Sequence, residues 1–178
     1  MTRRGLLLTM TEPPAAMDEE FNAWYDSEHV PERLSIQGFR SARRWVAHAA
    51  PGEGRYLATY ELDSPGVLRT PEYLARFDGA TPWTRRCLEK AVVFRRWACE
   101  QTAPGQADPH PAAKALLLIC GEAPLENVAL PGALQVRQFQ ASAGKPPYVT
   151  LFEFAQMETK IPAFGTDRLV RQYRAYAA

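Results

Sequence analysis

The chain repeats its own order of elements, and that repetition constrains its fold more than any single motif. "RGLLLTMTE" at residues 4–12 is echoed by "KALLLICGE" at 114–122. "QGFRSARRW" at 37–45 is echoed by "PGALQVRQF" at 131–139, and "RYLATYEL" at 55–62 by "PYVTLFEF" at 147–154. These echoes align Gly38 with Gly132, Arg43 with Arg137, Trp45 with Phe139, Tyr60 with Phe152 and Glu61 with Glu153. Single matches between aromatic strands carry little weight. A shared succession of elements carries more.

Within the first copy, an apolar strand is followed by "MDEEFNAWYDSEHVPERL", whose bulky residues recur at helical spacing with acids in the first turn. Two alternating aromatic strands come next, separated by the turn signal "APGEG". Thr70-Pro71 and Thr81-Pro82 each read as an N-cap with proline at the first helical position, opening "PEYLARF" and "WTRRCLEK". "AVVFRRWACEQ" closes the unit as a strand. The order is β-α-β-β-α-β, the split βαβ arrangement of ferredoxin-like folds. The proline-rich "TAPGQADPHPAA" (102–113) reads as a linker. The expectation is an α+β chain of tandem ferredoxin-like βαββαβ repeats, 1–101 and 114–178. Their two antiparallel sheets would pack as an intrachain α/β barrel.

The copies are unequal. Where the first has its long helix, the second has only "APLENVAL", with room for a turn or two. Its other helical region, "QMETKIPAFGTDRL", is short and broken by prolines and a glycine. A segment present in one copy and absent from the other points to a special role in the first half.

Composition narrows the function classes. Among 178 residues, 21 Lys+Arg nearly balance 20 Asp+Glu, and the charges are dispersed, so neither nucleic acid nor a membrane surface is an expected partner. No apolar run approaches the roughly 20 residues of a membrane span. "GLLLTM" is too short for a signal-peptide core. Cys87, Cys99 and Cys120 are odd in number without close-pair spacing, which predicts reduced, packed thiols in a cytoplasmic protein.

The chemistry concentrates in "WYDSEHVPERL" (24–34). At 100° per residue, Phe21, Trp24, Tyr25, Glu28 and His29 share an arc of about 140°, with Glu28 near its middle and His29 flanking. A buried carboxylate needs a partner or a wet cavity, and the nearest candidates are Arg33, Arg40, Arg43, Arg44, Arg95 and Arg96. Pro31 predicts a helix end, placing His29 in a C-terminal turn where the dipole favours the protonated ring. His48 and His110, in polar or proline-rich surroundings, read as surface histidines. Only Asp26, Glu28 and His29 cluster, and adjacent residues 28 and 29 splay apart, so no metal site is expected. There is no phosphate loop, dinucleotide fingerprint or nucleophile elbow.

"FNAWYDSEHVPERLSIQGFRSARRW" (21–45), with "TPWTRR" (81–86), resembles the dimeric α/β-barrel superfamily. More narrowly it is similar to its EthD-like group, in which helix one carries a "WY…EH.P…PGF" signature. Trp24, Tyr25, Asp26, Glu28, His29, Pro31, Gly38 and Phe39 match that signature; Gln37 stands where proline is usual. The likeness in detail covers about residues 4 to 100, and the second half matches in outline. The resemblance implies a substrate pocket between sheet and helices, one per chain. The duplication departs from that family, in which two subunits supply the two sheets: here one chain would supply both, giving a monomeric pseudo-dimer or weak homodimer.

Three functions are compatible with these residues. The first is a cofactor-independent cyclase, dehydratase or isomerase acting on an aromatic or polyketide-like molecule. There His29 would be the acid/base, Glu28 would orient it, and Trp24, Tyr25, Asp26, Arg43 and Tyr60 would line the pocket, with Arg43 or Tyr60 holding a developing oxyanion. The second is a non-catalytic binding protein for a hydrophobic metabolite. The third is an oxidative enzyme, cofactor-free or with His29 as a haem ligand.

Overall fold

The computed structural model describes residues 2–126, 129–157 and 160–177. Eight strands form one closed antiparallel barrel: β1 (Gly5–Glu12), β2 (Phe39–Val46), β3 (Tyr56–Leu62), β4 (Val93–Ala103), β5 (Ala115–Gly121), β6 (Ala133–Ala143), β7 (Tyr148–Phe154) and β8 (Leu169–Ala175). Around the barrel the order is β1-β3-β2-β8-β5-β7-β6-β4. The first four strands thus run β4-β1-β3-β2 and the last four β8-β5-β7-β6, the same order in each half. The helices lie in the first half: α1 (Asp18–Trp24), α2 (Val30–Leu34), α3 (Pro71–Asp78) and α4 (Pro82–Lys90).

The halves meet edge to edge, not as two sheets packed face to face. Trp45 and Val46 of β2 pair with Ala175 and Arg174 of β8, and on the far side β4 pairs with β6 from Ala98↔Ala143 to Ala103↔Gln138. Unpaired strand edges expose backbone donors and acceptors. Closure gives each outer strand a partner, so one barrel replaces the two stacked sheets that the sequence suggests.

Side chains alternate across the barrel wall. Leu8, Trp45, Trp97, Leu118, Phe139 and Tyr173 fill the interior. Alternate residues of β1 and β3 face outward under the helices, among them Leu7, Tyr56 and Tyr60. Both faces of β1 are therefore covered, and all eight of its residues are buried. The capping threonines act as the sequence predicts: Thr70 Oγ1 accepts from the Tyr73 amide (3.3 Å) and Thr81 Oγ1 from the Thr84 amide (3.0 Å).

The second half has no helix among its described residues. Leu125, Leu130, Ile161 and Phe164, on irregular segments, cover the outward-facing Leu117, Ile119, Phe152 and Phe154. Pro124, Pro131, Pro162 and Gly165 interrupt these segments, which removes the uninterrupted ladder a helix needs. Asn127, Val128, Glu158 and Thr159, within the two stretches where short helices are expected, lie outside the described residues. The 102–113 stretch is not a free spacer. It begins inside β4, its Ala107 backbone makes two hydrogen bonds with the Gln101 side chain (2.7 and 2.9 Å), and the His110 amide donates to Glu153 (2.6 Å). His110 is accordingly half-buried, while His48 is exposed as expected.

Candidate functional site

Helix one does not stop at Pro31. Between α1 and α2, residues Tyr25–His29 form a wider turn in which the Val30 amide donates to the Tyr25 carbonyl five residues back. Pro31 has no amide hydrogen and its ring crowds the preceding turn. A π-turn gives the chain room to continue as a helix. The wider turn also shifts the helical phase of the residues beyond it. Phe21, Trp24, Tyr25, His29 and Arg33 are buried, whereas Glu28 is displaced to the side and only half-buried.

Glu28 meets no arginine. Its Oε1 accepts from the Thr81 hydroxyl (2.6 Å) and the Thr84 hydroxyl (2.9 Å) at the start of α4. Thr84 Oγ1 in turn accepts from the Trp24 indole (3.0 Å). The two hydroxyl donors hold the side chain at the N-terminal end of α4. Glu28 therefore ties α4 to helix one and does not touch the imidazole it was expected to orient.

His29 sits in an aromatic box, its ring centroid 4.4 Å from that of Trp24, 5.0 Å from Tyr25 and 6.3 Å from Tyr60. Its Nδ1 is buried without a hydrogen-bond partner. Burial, then the positive charges of Arg33 and Arg44, lower its pKa to about 3. The ring is therefore neutral at ordinary pH, opposite to the dipole expectation, because the helix runs on to Leu34 and its C-terminal end is elsewhere. Tyr60 is fully buried; its hydroxyl makes no hydrogen bond of acceptable geometry, although the Tyr25 hydroxyl is near enough to act on it. Burial and the neighbouring Tyr25 hold that phenol well above its ordinary pKa, so it is a proton-bearing donor. The Tyr25 hydroxyl is paired with Thr9 Oγ1 (3.2 Å).

Two expected lining residues lie elsewhere. Arg43 is on the interior face of β2 and donates to the His110 carbonyl (3.1 Å), with the sheet between it and His29. Asp26 is at the rim, ion-paired with Arg44 (2.6 Å). Arg44 and Arg33, which the sequence suggests only as salt-bridge partners for Glu28, face the box instead. Arg44 stacks on Tyr25 (4.6 Å to the ring centroid) and Tyr176 (4.0 Å). Arg33 lies over Tyr73 (5.3 Å) and Phe77 (5.6 Å). Its position four residues after His29 is the sequence signal that places it on the same face.

The box is packed and is not the open pocket expected from the sequence. Five surface cavities are lined by other residues, one of about 530 Å³ by Leu130, Phe154 and Ile161 in the second half. Nor do the surroundings of His29 fit a haem: Trp24 and Tyr25 occupy the space beside the imidazole that a planar macrocycle would need. Among the described residues no three His, Cys, Asp or Glu side chains converge as metal ligands. Cys87, Cys99 and Cys120 are free and buried, with burial raising each thiol.

A closed antiparallel barrel with helices laid on its outer face defines an α+β barrel protein. No protein-family model matches the chain, and no curated protein does. Among solved structures it is similar over 99% of its length to an anthrone oxidase-like protein, with a TM-score of 0.64, 11% identity and 92% of that chain covered. It is likewise similar to a putative chlorite dismutase, with a TM-score of 0.56, 8% identity and 99% and 96% coverage. At such identities the likeness is one of fold. No helix among the described residues is long and apolar enough to cross a membrane.

Proposed function

We propose that this protein is a cofactor-independent enzyme for a small aromatic or polyketide-like molecule, in which neutral His29 takes a proton from a carbon or hydroxyl of the substrate and Tyr60 donates to the oxyanion that develops. The observation that carries this reading is the pair of buried, partnerless atoms, His29 Nδ1 and Tyr60 Oη, facing one aromatic box. Leaving a buried polar atom unpaired costs about 1–3 kcal/mol, and such a cost is most simply accounted for by a ligand that supplies the missing partner. No protein hydrogen bond fixes Nδ1, so the imidazole is free to exchange its proton with a substrate. Reactions of the cyclisation, dehydration or isomerisation type need little beyond such an acceptor and donor.

A second reading, oxidation without a cofactor, is favoured by the likeness to an anthrone oxidase-like protein. Anthrones are carbon acids, and proton removal by a neutral base is the first step in making them reactive toward oxygen.

Within the superfamily, the EthD-like group is the reading that best accounts for residues 24–39. A tandem duplication accounts for the shared strand order and for the positive φ of both Gly38 (94°) and its counterpart Gly132 (81°). It also accounts for a barrel completed within one chain.

The test is turnover of anthrone and poly-β-ketone substrates by wild type, His29→Gln and Tyr60→Phe. The glutamine variant is expected to keep the fold and lose at least ~100-fold in rate. An unchanged rate, or no turnover by wild type, would assign the box to binding alone.

A further inference from the structure

Arg33 and Arg137 are buried and the Arg44 side chain is 9% exposed, and the three are not treated alike. Arg137 is bonded by two carboxylates. Arg44 donates to Asp26 and Asn22 while stacking on rings. Arg33, only 6% exposed, has a buried Nη1 with no partner. Its sequence neighbour Glu32 is turned toward Arg76 instead (3.8 Å). The rings of Tyr73 and Phe77 offset part of the burial of the charge, but a ring face does not satisfy an in-plane N–H at Nη1.

Arg33 comes four residues after His29, and a run of ring contacts joins them: His29 to Tyr60 (6.3 Å between centroids), Tyr60 to Phe39 (6.0 Å), and Phe39 to Tyr73 (5.8 Å), over which Arg33 lies. Three orphaned polar atoms therefore border one region: an acceptor at His29, a donor at Tyr60 and a charged donor at Arg33. Beside them the surface is apolar, with Leu34, Leu74 and Phe77 exposed at 41%, 49% and 51%. The helix carrying Leu74 and Phe77, α3, has eight residues and buries a single side chain, Tyr73.

We infer that the substrate of this box is an aromatic anion, a carboxylate, phenolate or enolate, whose charged oxygen accepts from Arg33 Nη1 while its ring system lies against Tyr73 and Phe77. This assignment of substrate class rests on the His29 reading above for its catalytic meaning, but not for the binding itself. An anion there gives Arg33 Nη1 the partner that the protein does not supply. It also brings the substrate within one helical turn of the imidazole.

Calorimetric titration of the full chain with 2-naphthoate and with its neutral counterpart 2-naphthamide tests the inference. Wild type is expected to bind the carboxylate at least ~10-fold more tightly, as a charge-assisted hydrogen bond implies. Arg33→Met is expected to bind the two equally, with the amide affinity kept. Arg33→Gln makes the same test should the methionine variant fail to fold. Equal affinities in wild type, a preference that survives both neutral variants, or no binding of either probe would each overturn it. His29→Gln separates the two claims. If that variant turns over as wild type does while the preference for naphthoate persists, the acid/base reading fails and the anion site stands.

Discussion

Arg137 on β6 grips Glu61 on β3 with two hydrogen bonds of 2.8 and 2.9 Å across the inside of the barrel, joining the second half of the chain to the first. The same guanidinium bonds Glu153 through Nε (2.8 Å), and Glu153 also takes the His110 amide. Burial pushes the Glu61 carboxyl upward against the opposing pull of Arg137. Removing the cation strands two buried carboxylates, so Arg137→Met should lose about 3–5 kcal/mol in urea denaturation. A loss below ~1 kcal/mol would mean the network is solvated and peripheral.

Thr84 stands between Trp24 and Glu28, accepting from one and donating to the other. Thr84→Val keeps the shape and removes both bonds. It should destabilise the protein by about 1–3 kcal/mol and change the fluorescence of Trp24, whose indole loses its acceptor. Thr84→Ser should restore most of both. Equal behaviour of the valine and serine variants would show that the hydroxyl is idle.

His29 makes stability depend on pH with a definite sign. Its folded pKa, about 3, lies below the unfolded value of 6.5. Between those values the unfolded chain binds the extra proton, so stability falls as pH drops from 6.5 toward 3. The contribution lost by pH 4 is about 3 kcal/mol. Urea denaturation of wild type and His29→Gln across pH 4–7 should show the gap between them shift by that order in favour of the variant at low pH. Parallel curves would mean that His29 is not desolvated.

Much of the fold was legible from local signals. Thr70-Pro71 and Thr81-Pro82 marked their helices, and the strand runs appeared where apolar alternation put them. Barrel closure was not legible, because pairing of β2 with β8 and of β4 with β6 joins strand edges distant in sequence. The buried aromatic face of helix one was legible but misphased. A 100° helix puts Glu28 at the centre of the buried face, and the π-turn ahead of Pro31 moves it toward α4 and leaves His29 and Arg33 inside. Arg43 was misassigned for a simpler reason. Tyr60 pairs with Ala42, so it shares a face with Ala42 and Arg44, while Arg43 goes with Trp45 to the interior. Strict use of the strand period would have chosen Arg44.

The central claim is that His29 is a buried, neutral imidazole with a free nitrogen, and nitrogen-detected NMR titration of histidine-labelled protein measures it directly. Because His48 and His110 are the other histidines, His29→Gln identifies its signals. The His29 resonances are expected to keep the pattern of a neutral ring from pH 8 down to at least about pH 4, as a folded pKa of about 3 requires. A midpoint near the ordinary histidine value of 6.5 would instead show a hydrated imidazole at the end of a helix.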